Sequence, residues 1–124
     1  MKLQRVFGNT YFIKGGTNTG VYLFENKNAL LIDPGLSGLR PKNMIKMFEN
    51  EKIIVQGAVD LCFEEDGEIV VLDFKTDHAE DGEALRAAYG GQLAIYALAC
   101  EKIFEKPVKQ TVIYSFALSK EINV

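Results

Sequence analysis

The sequence predicts an α/β fold: a mixed, largely antiparallel sheet with a short helix at about 41–50 and a long helix at about 83–104 packed on it. Three observations carry this. Residues 3–33 alternate short β-rich runs with turn chemistry, residues 54–75 hold two apolar runs around Asp66-Gly67, and residues 83–104 are apolar at helical spacing. With 124 residues, 48% of them hydrophobic, the chain suits one compact unit able to bury a core.

Residues 3–7, 10–14, 19–25 and 28–33 read as an antiparallel meander. GGTNTG at 15–20 and ENKN at 25–28 supply the turns, Gly and Asn adopting positive φ at little cost. The last strand, ALLID, ends at Pro34-Gly35, and Asp33 reads as a strand-end turn residue or a helix-side cap. Leu36 to Arg40 reads as a loop, after which Pro41 fits the first turn of a helix. KNMIKMFEN at 42–50 places Met44, Ile45, Met47 and Phe48 on one apolar face, the methionines as core filler, and Asn50 as a stop.

Asp66-Gly67 is the strongest short-range hairpin signal in the chain. Val55, Val59, Leu61 and Phe63 fall on the strand before it, and Ile69, Val70, Val71, Leu72 and Phe74 on the strand after it. Against that background stand Asp60, Asp73 and Lys75. A carboxylate in so apolar a strand is costly unless it is paired. Asp60 lies six residues before the turn and Asp73 six after, so the hairpin brings them opposite each other. Two converging carboxylates repel unless a cation or a shared proton separates them, and oxygen donors favour Mg²⁺ or Mn²⁺ over zinc. Lys75 leaves the same face as Asp73 and is placed to orient water or stabilise charge on a phosphate. The competing reading is an edge hairpin with solvated charges.

Beyond Lys75, TDHAEDGE is a polar loop with a helix start near Asp81, and His78 reads as a solvated loop residue. Leu85, Ala88, Leu93, Ile95, Tyr96, Leu98, Ala99 and Ile103 bury the long helix. Gly90-Gly91 weakens it relative to alanine while allowing close approach to the sheet. Lys106-Pro107 ends the helix, and 108–118 is a further strand. Gln92 and Tyr96, four apart, share one helix face, with Tyr89 and Arg86 extending the same end toward a phosphate. On the residues alone, a helix-face Gln and a half-buried Tyr serve equally well.

Composition excludes several classes. There is no run of 18 apolar residues for a membrane span, and MKLQRVFGNT lacks the apolar run of a secretory signal. Cys62 and Cys100 fit a reduced, cytoplasmic chain with small buried thiols, and with His78 the single histidine a structural zinc site is not expected. Residues 1–50 carry seven Lys or Arg against three Asp or Glu, whereas residues 51–124 carry seven against fourteen. The acidic part lacks the basic footprint by which proteins grip nucleic acid unaided, yet suits a cation.

GAVD, twelve residues and then DFK resembles the split Asp…Asp-x-Lys signature of the PD-(D/E)XK nucleases. VQGAVDLCFEEDGEIVVLDFKTD with YGGQLAIYALACEKIFEKPVKQTVIYSF, roughly residues 53–120, is similar to the RecB-like branch, in particular the C-terminal nuclease domain of the AddA type. The resemblance implies metal-dependent hydrolysis of DNA, single-stranded in preference, with helicase subunits as partners. It implies Asp60, Asp73 and the carbonyl of Phe74 as ligands of Mg²⁺ or Mn²⁺, Lys75 as the catalytic lysine, and Gln92 and Tyr96 as substrate-binding residues. The family's upstream helix, which adds an acidic or histidine ligand, is replaced here by the lactamase-like strands and the helix at 41–50, whose one acid is Glu49. Residues 9–35, NTYFIKGGTNTGVYLFENKNALLIDPG, instead resemble the opening strands of the metallo-β-lactamase fold, without its HxHxDH zinc motif. The expected organisation is therefore a fusion: residues 1–50 a lactamase-like meander plus helix, and residues 51–124 a nuclease-like core. The alternative function is a catalytically inactive scaffold with a vestigial metal site.

Overall fold

A computed structural model describes residues 1–16, 18–33, 39–55 and 57–124 of the chain. Its first strands, β1 (Leu3–Phe7), β2 (Thr10–Ile13), β3 (Thr19–Leu23) and β4 (Asn28–Ile32), form the antiparallel meander that their turn chemistry specifies. The means differ in detail from the expectation. In the β3–β4 turn Lys27 takes the positive φ, while Asn26 acts through its side chain, which accepts from the Asn28 amide at 3.1 Å. Among the described glycines only Gly8 and Gly67 have positive φ, so Gly15 and Gly16 turn the chain without it. Asp33 follows the end of β4 with φ 53°. Pro34-Gly35 and the Leu36–Gly38 part of the expected loop lie outside the described residues. Leu39 and Arg40 are already helical, the first residues of α1 (Leu39–Asn50).

Alternate residues of the meander (Ile13, Val21, Ala29) face inward and meet Met44 and Phe48 of α1 together with Ile53, making the first core. Arg40 ties the helix start to the sheet by donating to the Ile13 carbonyl at 3.2 Å and the Thr19 hydroxyl at 3.1 Å.

The expected single sheet is divided in two. Ile54 and Val55, read as the start of the hairpin, form a separate short strand, β5 (Ile54–Val55), parallel to β4 and the last member of a five-stranded sheet ordered β1-β2-β3-β4-β5. The hairpin proper is β6 (Leu61–Glu65) and β7 (Glu68–Lys75), with Val59 in the connection ahead of it. Asp66 at φ 53° and Gly67 at φ 80° make a two-residue turn with both central φ positive, whose twist matches that of the strands. The pairs Glu65↔Glu68 through Leu61↔Leu72 follow without a bulge.

From β7 the chain crosses through α2 (Gly82–Phe104) to β8 (Val108–Ser115), which lies parallel to β7. The helix begins where Asp81, extended at φ −157°, accepts from the Ala84 amide at 2.9 Å, and it ends at Glu105 in the left-handed region, two residues before Pro107. The expected strand over 108–118 is shorter: the chain turns at 116–119, Ser119 taking φ 52°, and returns as β9 (Lys120–Asn123), completing the order β6-β7-β8-β9.

α2 presents Leu85 and Leu93 to Ile113 and Ile122 of this second sheet, and Cys100 to Ile69 and Val71. Gly90 and Gly91 are buried, but Ala88, Ala99 and Ile103, expected in the core, are exposed, Ile103 at 72%. The helix is gripped on only part of its girth: one flank meets the second sheet, and Ile95 on another meets the first core.

The turn yields a direct test. Nothing lies within 4 Å of a Cβ built on Gly67, so Gly67→Ala is opposed by backbone conformation alone. The substitution is expected to destabilise the fold by about 1 kcal/mol, read as a lower urea midpoint at unchanged m-value.

Candidate active site

The hairpin register that pairs Leu61 with Leu72 carries one step further to Asp60 and Asp73. Asp60 sits just before β6 and is exposed; its Oδ2 accepts from the main-chain N–H of Phe74 at 2.9 Å, which pins it across the hairpin. Asp73 is only 3% exposed, near the carboxyl end of β7, where β7 and β8 run parallel. Crevices at such strand ends are where α/β sheets hold their ligands.

Lys75, two residues on, emerges from the same face. Its Nζ lies 2.6 Å from Asp73 Oδ2 and donates to Gln92 Oε1 at 3.2 Å. Gln92 in turn donates through Nε2 to the Tyr96 hydroxyl at 3.0 Å, so the Tyr96 hydroxyl sets which end of the amide faces the lysine. Asp60, Asp73, Lys75, Gln92 and Tyr96 are thus brought together as one connected constellation spanning β7 and α2.

Burial pushes the Asp73 carboxyl above its ordinary range, and the neighbouring Asp60 adds to this against the pull of Lys75. Burial, seconded by the charge of Asp73, likewise raises the Tyr96 phenol, which therefore keeps its proton at neutral pH.

Other expected contributors are engaged elsewhere. Glu49 pairs with Lys102 of α2 at 3.1 Å, and Arg86 is held by Glu83 and the Asn123 carbonyl. His78 is exposed in the loop after β7. One contact was not anticipated: the Tyr89 ring lies beneath Lys75, its centroid 4.1 Å from Nζ, and the Tyr89 hydroxyl donates to Asp77. The signal was the spacing 89, 92, 96 on one helix face and 73, 75 on one face of the strand.

The donor set suits a hard divalent cation. Asp73 Oδ2 meets the ammonium as an ion pair but is buried without a hydrogen bond, leaving a lone pair for a further electrophile. No group of three or more His, Cys, Asp or Glu side chains suited to a metal occurs among the described residues. Two carboxylates on one face match the one or two through which proteins commonly bind Mg²⁺.

A family model of the PD-(D/E)XK nuclease superfamily matches residues 24–122, the greater part of the chain. The chain belongs to that superfamily. It is also similar to the A-type subunit of ATP-dependent helicase/nucleases. With that of Clostridium botulinum (strain Alaska E43 / Type E3) the identity is 41% over 83 residues, a match covering 67% of this chain and 7% of the relative. The corresponding protein of Ligilactobacillus salivarius (strain UCC118) is 42% identical over 72 residues, 58% of this chain and 6% of the relative. In Clostridium novyi (strain NT) the identity is 40% over 81 residues, 64% and 7% of the two chains. The chain therefore corresponds to a small fraction of these relatives' length. No described helix is long and apolar enough to cross a membrane.

The raised Asp73 carboxyl makes a prediction with a definite sign. A carboxyl that holds its proton more tightly when folded contributes stability that is complete below the unfolded pKa of about 3.9 and is lost as pH rises through the folded value. Asp73→Asn is therefore expected to melt higher than wild type at pH 7, by about 2–6 °C, with the difference disappearing near pH 3.5. Thermal scans of both proteins across that range check it.

Proposed function

We propose that this constellation is a metal-dependent deoxyribonuclease centre of the RecB type, hydrolysing phosphodiester bonds of single-stranded DNA. The observation that carries the reading is the pair of buried Asp73 and half-buried Lys75, 2.6 Å apart, facing Asp60 and braced by Gln92 and Tyr96. Asp60, Asp73 and the carbonyl of Phe74 would hold Mg²⁺ or Mn²⁺, and this all-oxygen set disfavours zinc. The bound cation would polarise the scissile phosphate and lower the pKa of an attacking water.

The chain's own groups do the rest. The Lys75 ammonium stabilises negative charge developing on the phosphoryl oxygens, with Gln92 fixing its direction. The protonated Tyr96 hydroxyl, which accepts from Gln92, keeps its own hydrogen to donate to substrate. The acidic surface around the site is a poor grip for DNA. The relatives named above are helicase/nuclease subunits, so delivery of the strand by a helicase partner fits this site.

A second reading, an inactive fusion scaffold with a vestigial site, is favoured by the absence of a third metal-ligating side chain among the described residues. Calorimetric Mn²⁺ titration of wild type and Asp73→Ala, with cleavage of a single-stranded oligonucleotide on the same samples, separates the two. The nuclease reading expects wild type to bind and cut, and the variant to lose both, cleavage falling by about two orders of magnitude or more. Binding without cleavage supports the scaffold, and a wild type that binds no Mn²⁺ removes the metal centre altogether.

A further inference from the structure

We propose that Tyr89, braced by Asp77, is a positioning residue for Lys75: its ring is the seat that keeps the ammonium in the site when Asp73 turns to a cation. The inference builds on the nuclease reading but stands on its own geometry. Among the described residues three groups stand close to Lys75 Nζ: the Asp73 carboxylate at 2.6 Å, the Gln92 amide oxygen at 3.2 Å and the Tyr89 ring centroid at 4.1 Å. The first is the strongest, and it is the one a bound cation must take over. An ammonium deprived of its carboxylate would swing to water unless the remaining contacts hold it.

The π face of Tyr89 does this without competing for the metal, since it offers no lone pair to a hard cation yet attracts an ammonium through its quadrupole. Donation of the Tyr89 hydroxyl to Asp77 fixes the ring's tilt and increases its electron density. The arrangement follows from periodicity in both elements. Asp73 and Lys75 alternate onto one face of β7, Asp77 follows in the loop beyond it, and Tyr89, Gln92 and Tyr96 recur at i, i+3 and i+7 along one face of α2. Each helix residue thereby serves the strand at a different height: Tyr96 holds Gln92, Gln92 holds Lys75 from one side, and Tyr89 supports it from another.

The test uses the full chain labelled with ¹³C-lysine, the Lys75 resonance being assigned with Lys75→Arg. A methylene seated over a ring face is shifted upfield, so the Lys75 ε-CH₂ signal should stand apart from the other lysines in wild type and in Tyr89→Phe, and join them in Tyr89→Leu. In wild type the upfield position should persist at saturating Mg²⁺. With Mn²⁺ and a single-stranded oligonucleotide, Tyr89→Leu should lower kcat about three- to thirtyfold at unchanged KM, and Tyr89→Phe should recover most of that loss. An ordinary Lys75 position in wild type, or one lost on adding Mg²⁺, overturns the proposal. So does a Tyr89→Phe variant as impaired as Tyr89→Leu, or a change confined to KM, which would make Tyr89 a substrate contact. If wild type cuts nothing, the nuclease reading falls, while the resonance positions still decide whether Tyr89 seats the lysine.

Discussion

A buried carboxyl inside β7 is the constraint on which the rest of this architecture turns. Asp73 shares its face of the strand with the buried Ile69 and Val71 and pairs across to the buried Ile113 of β8. Removing such a charge from water costs several kcal/mol, which a single ion pair seldom fully offsets. Lys75 offsets part of it, but Asp60 opposes, and the net effect on the carboxyl is destabilising for the charged form. A sequence selected for stability alone would place an apolar residue here. On the nuclease reading proposed above, its presence makes sense as a site held in electrostatic tension that a cation would relieve. Lys75, Gln92 and Tyr96 then form the fixed scaffold around that imbalance of charge.

Placing two carboxylates opposite each other requires strict register, and here the local sequence is sufficient. Because Asp66 and Gly67 both take positive φ, the turn closes in two residues and every later pair is set by counting outward. A one-residue slip would send Asp73 and Lys75 to the opposite face. This is why the Asp60–Asp73 juxtaposition and the Lys75 direction were legible in the amino-acid order alone. The limits of α2 were legible for the same reason, Asp81 and Pro107 acting within a few residues of the helix ends they define.

Non-local choices were not legible. Nothing in Ile54-Val55 distinguishes a strand that continues into the hairpin from one that leaves to pair with Asn28 and Ala29, since both uses want the same apolar, β-branched residues. The turn after β8 was hidden because Ser119 adopts the left-handed conformation ordinarily signalled by Gly or Asn, as Lys27 and Lys52 also do. The exposure of Ile103 depends on where α1 stops beside α2, a packing fact that periodicity does not carry. The seat of Lys75 on Tyr89 likewise needs the depth at which the helix crosses the strand.

Two sheets sharing one helix give the connection between them a function of its own. The segment from Gly57 to Asp60 leaves the first sheet and delivers Asp60 to the site, and on the way it passes against α2: a Cβ on Gly57 would stand 3.0 Å from Tyr96 Cε1. The residue before Tyr96, Ile95, packs against the first core, as does Val55 of β5. The first sheet therefore fixes the height of α2 on one flank while its exit strand places a carboxylate on the other. Gly57 couples the connection that carries Asp60 to Tyr96, and through Tyr96 to Gln92 and Lys75. The N-terminal strands are thus part of the support of the site, and a glycine at 57 is what allows the backbone to pass the Tyr96 ring without disturbing the hydrogen bond that aims Gln92 at the lysine.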